Sequence, residues 1–291
     1  SASPDGAVVL LENVRFYSGE EKNESGFIDS LAALGDCYVN DAFGTAHRAH
    51  ASTEGLAHRL PSAAGLLIEK EVRFLGGVLR DPQQPMVAVV GGAKVSTKIA
   101  VLESLLSSCR QLIIGGGMAY TFLKVQGHGI GNSLLEEDFL ETARSLLDKA
   151  EKAGVEVILP VDHVCGVEFS EQAEAQLVDS SDVPDGMIAM DVGPKTLDRY
   201  RDDIADARTV VWNGPVGVFE FPRFSDGTRE LARMIADSSA ITVVGGGDSV
   251  SAANQFGVAD RMSHVSTGGG ASLEFLEGRT LPGIAVLERK G

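Results

Sequence analysis

Two lysines, Lys94 and Lys98, stand four residues apart shortly after the pair Gly91-Gly92. If a helix begins here, that spacing places both ammonium groups on one helical face, near the end of the helix that attracts anions. Two neighbouring cations repel each other unless an anion lies between them, and each lysine–phosphate contact is worth on the order of 4 kcal/mol before desolvation. The pair therefore predicts a phosphate site. On an ordinary helix, without the glycines, a solvated lysine pair is the better interpretation.

Carboxylates end two other glycine-rich segments. Asp248 directly follows the glycine cluster 245–247 at a predicted helix start. It either caps that helix or holds a Mg²⁺ ion that bridges nucleotide phosphates, and the spacing alone favours neither role. Glu220 ends the loop 213–220, where an exposed acid either accepts hydrogen bonds from ribose hydroxyls or is simply solvated.

Arg15 and Arg48 are candidates for holding a second anion, because guanidinium groups bind phosphate and carboxylate as forks. Arg48 lies between His47 and His50, which look like a metal-binding pair. The sequence offers no third ligand beside them, so zinc is disfavoured. Cys37 has no base near it in the sequence and there is no Gly-x-Ser-x-Gly elbow, so nucleophilic hydrolysis has little support.

Short apolar runs that lead into glycines and then into helical patterns must position these side chains. The clearest four are MVAVV (86–90), QLII (111–114), ITVV (241–244) and MSHVS (262–266). β-Branched runs that alternate with helices are typical of an α/β fold with a parallel sheet. Ligands bind such sheets at the carboxyl ends of the strands, so we expect the glycine clusters to line one edge and to let the backbone approach a ligand.

No cluster matches the Gly-x-Gly-x-x-Gly dinucleotide fingerprint or the Walker loop. A phosphorylated ligand is therefore expected in a less common arrangement, and an NAD-dependent oxidoreductase is disfavoured. With 25 Lys and Arg against 41 Asp and Glu, the formal charge of −16 argues against a general nucleic-acid binder. No apolar run is long enough for a membrane helix. Three cysteines without a Cys-x-x-Cys pair favour a reducing compartment.

Residues 1–65 contain too few elements for a domain of this class. Two strand candidates, 7–11 and 37–41, flank one amphipathic helix over 27–34. We expect this segment to be part of a domain whose remainder lies upstream. A helix over 66–79 and a proline-rich break then precede the larger α/β domain.

Eight strings, in order along nearly the whole chain, resemble the phosphoglycerate kinase family. They are LLENVRFYSGEEKN (10–23), YVNDAFGTAHRAHAST (38–53), VVGGAKVSTKI (89–99), IIGGGMAYTFL (113–123), DVGPKT (191–196), VVWNGPVGVFE (210–220), VVGGGDSVSAA (243–253) and HVSTGGGASLEFLEG (264–278). The resemblance implies two Rossmann-like parallel-sheet domains joined by a helix. It also implies reversible transfer of the 1-phosphoryl group of 1,3-bisphosphoglycerate to Mg-ADP, giving 3-phosphoglycerate and ATP.

The resemblance also implies domain bounds. Residues 1–65 would be the C-terminal part of a domain that binds 3-phosphoglycerate, and 66–84 the interdomain helix and linker. Residues 85–270 would form the nucleotide-binding domain, and 271–291 a tail that returns to the first domain. A monomer in the cytoplasm is expected, with a plastid as the alternative, and neither nucleic acid nor a membrane is expected as a partner.

Site residues follow from the same motifs. The implied catalytic residues are Lys94, Lys98, Gly247, Gly269 and Gly270. The implied nucleotide-binding residues are Lys94, Lys98, Gly116, Gly117, Ala189, Asn213, Pro215, Glu220, Gly246, Gly247, Asp248 and Ser249. Asp248 would hold Mg²⁺, and Arg15 and Arg48 would bind 3-phosphoglycerate.

Several departures from the family pattern stand out. Ala189 occupies a position that is often glycine in the family, and Ser249 one that is often threonine. The family's opening substrate loops and catalytic arginine have no counterpart in this sequence, so we expect the 291-residue chain alone to have little or no kinase activity. The alternative is a module that binds nucleotide without turnover.

Overall fold

A computed structural model describes residues 4–288. Within this part of the chain, one compact unit holds the residues up to Lys70 together with those from Thr280 onward, and the other is Glu71–Arg279. This division places 271–279 in the larger unit, whereas the predicted tail begins at 271. The functional domain assignment stays a prediction.

Eleven strands are found among the described residues. They are β1 (Tyr38–Asn40), β2 (Ser62–Ala64), β3 (Met86–Val90), β4 (Gln111–Ile114), β5 (Glu156–Ile158), β6 (His163–Gly166), β7 (Gln176–Val178), β8 (Ile188–Val192), β9 (Thr209–Asn213), β10 (Ile241–Val244) and β11 (His264–Val265). The runs expected at 37–41, 86–90, 111–114, 241–244 and 262–266 each contain one of them.

Eleven α-helices are found among the described residues. They are α1 (Ser18–Glu21), α2 (Ser25–Ala32), α3 (Leu66–Arg80), α4 (Ile99–Leu106), α5 (Ala119–Val125), α6 (Leu140–Ala153), α7 (Pro194–Asp206), α8 (Asp226–Asp237), α9 (Gly247–Gln255), α10 (Gly270–Leu276) and α11 (Pro282–Ala285). Short 3₁₀ turns occur as well, including Val95–Thr97 and Glu137–Phe139. No helix among the described residues combines the length and hydrophobicity needed to cross a membrane.

The larger unit is built on a six-stranded sheet in the order β11-β10-β9-β3-β4-β5, and every pair in it is parallel. From β3 the chain first adds β4 and β5 on one side, and later β9, β10 and β11 on the other. The sheet is therefore doubly wound, and its strand order reverses between β3 and β9. The predicted parallel α/β fold is confirmed. All five residues of β3 and all five of β9 are buried, which explains their continuous apolar runs, since helices cover both faces of such a sheet.

A second sheet of three antiparallel strands, in the order β7-β6-β8, lies between β5 and α7 along the chain. The sequence analysis did not predict it. Its strands are only three to five residues long, and such short runs are hard to distinguish from loops by periodicity. Its third strand, β8, supplies part of the cleft described below.

In the smaller unit, β1 and β2 form a two-stranded parallel pair. The strand expected over 7–11 is wrong. These residues form no regular element and their side chains are exposed, with Val8 98% and Leu10 95% accessible. A strand needs a partner for its N–H and C=O groups, and no described strand pairs with this segment.

Two buried tyrosines of the larger unit differ in whether their hydroxyl group has a hydrogen-bond partner. The Tyr200 hydroxyl has no hydrogen-bond partner among the described residues, whereas the Tyr120 hydroxyl bonds His163 Nδ1 at 3.2 Å. We predict that Tyr200→Phe raises the free energy of unfolding by about 1 kcal/mol and that Tyr120→Phe lowers it by about 1 kcal/mol. Urea unfolding of both variants checks this. A loss of stability in Tyr200→Phe would contradict it.

Candidate nucleotide site

The carboxyl ends of five parallel strands bring the predicted glycine clusters to one edge of the sheet. Gly91-Gly92 follows β3, Gly115–Gly117 follows β4, Gly245–Gly247 follows β10 and Gly268–Gly270 follows β11. Asn213 ends β9 between them. The sheet order confirms that these clusters share one edge. The reversal of strand order, where ligands of such sheets bind, falls between Gly91 and Asn213.

Several glycines at this edge approach other backbone rather than open space. Gly91 donates its N–H to the Asn213 carbonyl at 2.9 Å, and a Cβ on Gly91 would lie 2.0 Å from the Pro215 carbonyl oxygen. A Cβ on Gly214, whose φ is +110°, would lie 2.1 Å from the Gly91 oxygen. Gly116 is likewise enclosed, by Gly92 and Pro215. At these positions loop-to-loop packing alone already requires glycine, and their role toward a ligand stays a prediction.

Other glycines do face open space. A Cβ on Gly247, in the first turn of α9, or on Gly269, just before α10, would meet nothing within 4 Å. Gly246, with φ +86°, turns the chain into α9 and adjoins the Asn213 amide. The starts of α9 and α10 thus remain accessible to a ligand, and the N–H groups at a helix start attract anions.

A cleft of about 500 Å³ opens beside these loops. Most of its lining is apolar and includes Tyr120, Leu134, Phe169, Ile188, Met190 and Val218. The predicted residues Gly116, Gly117, Ala189, Pro215, Glu220 and Asp248 line the same cleft. An apolar slot with a few polar groups at its rim is the usual form of a small-molecule site.

Lys98 lies at this edge and is held by an uncharged partner. Its Nζ donates to Asn213 Oδ1 at 2.5 Å, and the fully buried Asn213 donates from Nδ2 to the Gly245 carbonyl at 3.1 Å. Burial lowers the pKa of Lys98 from its ordinary value, while the carboxylates of Asp248 and Glu277 act in the opposite direction. The site therefore holds a partly desolvated cation without an ion-pair partner among the described residues, and an anionic ligand would relieve that cost.

The expectation that Lys94 and Lys98 share one α-helical face is wrong. Lys94 has extended backbone and precedes the 3₁₀ turn Val95–Thr97, and α4 begins only at Ile99. Lys98 is the residue between turn and helix. A spacing of four places two side chains on one face only within an α-helix. Here a 3₁₀ turn, with three residues per turn, precedes Lys98, and the α-helix begins after it. Lys94 is exposed at the start of the turn.

Asp248 does not cap α9. It lies in the first turn, is exposed at the cleft and forms no capping hydrogen bond, and the N-cap position is taken by Gly246. Of the two roles left open by the sequence, the helix cap is excluded, and the Mg²⁺ role stays a prediction. Among the described residues no group of three or more His, Cys, Asp or Glu could hold a metal on its own.

Ser249 and Ala189 contribute through packing. The fully buried Ser249 Oγ accepts a hydrogen bond from the Gly214 N–H at 2.5 Å, which ties α9 to the loop after β9. Ala189 lines the cleft, and its N–H donates to Ser133 Oγ at 3.0 Å. Glu220 is exposed at the cleft rim.

Sequence reasoning missed the apolar wall made by Leu134, Phe169, Ile188 and Met190. These residues come from three separate segments with no motif that marks them as a group. It also missed Asp191, which is 2% exposed and accepts N–H donors from Val192 and from Gly227 at the start of α8. Burial raises the pKa of Asp191 from 3.8 to about 8, against the opposing effect of these two hydrogen bonds.

The two predicted arginines both lie in the smaller unit. Arg15 is in the 3₁₀ turn Val14–Phe16, with its Nε 3.9 Å from Glu21. Arg48 donates from Nε to His47 Nε2 at 3.2 Å. Both side chains are exposed, so each guanidinium has donors available for an anion.

A doubly wound α/β sheet with open helix starts and a half-buried lysine beside an apolar cleft is typical of nucleotide-binding proteins. The sequence profile described as phosphoglycerate kinase matches residues 1–279. The chain is 58% identical over 285 residues to the phosphoglycerate kinase of Borrelia hermsii, covering 98% of this chain and 73% of that protein. Its identity to the Anaeromyxobacter enzyme is 57% over 285 residues, covering 98% of this chain and 72% of that protein.

Solved structures agree. The structure of phosphoglycerate kinase from Coxiella burnetii superposes with a TM-score of 0.91 at 50% identity, covering 94% of this chain and 71% of that chain. The Pyrococcus horikoshii enzyme gives a TM-score of 0.77 at 33% identity. The chain belongs to the phosphoglycerate kinase family. Its activity is reversible phosphoryl transfer between 1,3-bisphosphoglycerate and ADP.

Backbone packing at the strand reversal allows a stability prediction. Gly91→Ala should lower the free energy of unfolding by about 3 kcal/mol, because the new Cβ overlaps the Pro215 carbonyl and backbone must shift. Gly77→Ala in α3 is the control, since a Cβ there meets nothing within 4 Å and alanine favours a helix. Urea unfolding of both variants measures the difference. Equal stabilities would contradict the packing argument.

The raised pKa of Asp191 predicts a pH dependence. Between pH 3.8 and about 8 the folded protein keeps a proton on Asp191 that the unfolded chain releases. The free energy of unfolding should therefore fall as pH rises across this range. Asp191→Asn removes this contribution, so wild type should lose stability relative to the variant as the pH is raised from about 5.5 to about 8.5. A difference that is the same at both pH values would refute the assignment.

Proposed function

We propose that the cleft binds the adenosine part of ADP or ATP and that the phosphates lie along the sheet edge. The observation that carries this proposal is the pairing of Lys98 with the uncharged Asn213 beside the open start of α9. The apolar lining suits a purine base, and the exposed Glu220 at the rim can accept hydrogen bonds from the ribose hydroxyls.

The phosphate contacts follow from charge and access. Lys94 and Lys98 supply two ammonium groups, and Gly246, Gly247 and Ser249 present backbone at the start of α9. Gly116, Gly117, Ala189 and Pro215 border the base, with Asn213 near the phosphates. Glycine at 247 leaves room for a phosphate oxygen to approach the N–H groups of the helix start.

Mg²⁺ bound with the nucleotide fits this site through Asp248. Mg²⁺ in nucleotide sites typically takes one or two protein carboxylates and completes its shell with phosphate oxygens and water. Asp248 is such a carboxylate, exposed at the cleft and not used for helix capping. The ion, when bound, would neutralise charge on the phosphates.

For 3-phosphoglycerate we propose Arg15 and Arg48 of the smaller unit as ligands of its anionic groups. Transfer of a phosphoryl group needs alignment of the two substrates and stabilisation of the charge on the moving group, rather than covalent help from the protein. Lys94, Lys98 and the backbone at Gly247, Gly269 and Gly270 are the groups that would stabilise that charge.

We further propose the domain roles implied by the family motifs. Residues 1–65 would serve the phosphoglycerate side, 66–84 the connection, 85–270 the nucleotide side and 271–291 the returning tail. A monomer that works in the cytoplasm is the expected form.

Calorimetric titration of Mg-ADP tests the nucleotide site. Lys98→Ala should weaken binding at least about tenfold, because a charge-assisted contact to phosphate is lost. Lys149→Ala is the matched control, since this exposed lysine pairs with Glu103 on the surface of α4. Asp248→Asn should weaken binding when Mg²⁺ is present and leave ADP binding in EDTA unchanged. Equal effects of the two lysine variants would overturn the site.

A further inference from the structure

Lys94 and Lys98, the proposed phosphate ligands, flank a short turn. Few contacts within the turn itself stabilise it. Between Lys94 and Lys98 lies a single 3₁₀ turn, closed by the Lys98 N–H to the Val95 carbonyl at 2.8 Å. Thr97 Oγ1 adds a local bond to the Lys94 carbonyl. Val95 is fully buried and anchors one side of the turn. A short 3₁₀ turn has weaker hydrogen-bond geometry than an α-helix and depends on outside contacts.

Glu136 supplies such a contact from a distant part of the chain. Its Oε2 accepts the Ser96 N–H at 3.1 Å and its Oε1 accepts the Ser96 hydroxyl at 2.6 Å. Both carboxylate oxygens are thus engaged by the residue in the middle of the lysine turn. Glu136 is itself half-buried, and its N–H donates to the buried Thr121 hydroxyl at 3.3 Å.

We infer that Glu136 is a positioning residue for nucleotide phosphate: it fixes the turn that carries Lys94 and Lys98. It does so through hydrogen bonds rather than by neutralising the lysines, because the carboxylates that act on Lys98 are Asp248 and Glu277. This inference rests on the proposed function of the two lysines as phosphate ligands. A carboxylate that binds N–H and O–H donors makes stronger hydrogen bonds than a neutral acceptor.

The segment that ends at Glu136 also forms part of the cleft wall, through Asn132 and Leu134. That wall has its own attachments. The Asn132 N–H donates to the Met187 carbonyl at 2.7 Å, and Ser133 Oγ accepts the Ala189 N–H at 3.0 Å. Removing the Glu136 carboxylate should therefore release the lysine turn while the base slot keeps its shape.

The test compares two probes, ADP and adenosine, by calorimetry. Glu136→Ala should weaken ADP binding roughly 5- to 10-fold and change adenosine binding less than about twofold, because only the phosphate end loses its support. Glu136→Gln retains an oxygen acceptor and adds an amide donor for Ser96, so it should bind ADP more tightly than Glu136→Ala. Ser96→Ala keeps the N–H bond and should lie between wild type and Glu136→Ala.

Glu137→Ala is the charge control, since Glu137 is exposed, adjacent, and has no hydrogen bond to the lysine turn. Equal losses for ADP and adenosine in Glu136→Ala, unchanged ADP binding, or the same loss in Glu137→Ala would each overturn the inference. Lys98→Ala separates the two proposals. If it weakens ADP binding and Glu136→Ala does not, only the positioning role fails; if Lys98→Ala binds ADP normally, the phosphate site and the positioning role both fail.

Discussion

The backbone of the loop after β3 lies directly against the backbone of the loop after β9, and the cleft depends on this contact. Gly91 and Gly214 approach so closely that neither position has room for a Cβ. The loop after β3 continues along the chain to Lys98. The loop after β9 begins directly after Asn213. Because no side chain intervenes between the loops, Asn213, at the end of β9, is placed by main-chain contacts.

The orientation of Asn213 follows from this arrangement and determines what Lys98 can do. The Nδ2 group of Asn213 donates to the Gly245 carbonyl, so its Oδ1 must face the lysine. Lys98 thereby has a neutral acceptor in a partly desolvated setting, while the carboxylates of Asp248 and Glu277 act on its charge without a direct ion pair among the described residues. A cation held in this way is ready for an anion, since binding requires only exchange of an amide oxygen for a phosphate oxygen.

The sequence could predict the sheet because its strands are continuous apolar runs that end in glycine, and this pattern is specific to buried parallel strands. It could not predict the lysine geometry, because a spacing of four has the same appearance in a helix and across the turn Val95–Thr97. The role of Gly91 was equally hidden: a glycine needed for packing and one needed for a ligand look alike. The wall residues Phe169 and Met190 became neighbours only through the short antiparallel sheet, whose strands carry little periodicity.

A chain with a formal charge of −16 must keep its cations available if it is to bind anionic substrates. Some carboxylates of the larger unit accept hydrogen bonds from backbone N–H groups instead of pairing with lysine or arginine. Asp162 accepts two such donors at the start of α7, and Glu136 accepts one together with a hydroxyl. Acids placed at helix starts and turns stabilise them through the same dipoles that attract anions. Within the described part of the chain Lys98 is held by the uncharged Asn213 and Lys94 is exposed, so the acidic composition is compatible with the proposed phosphate site.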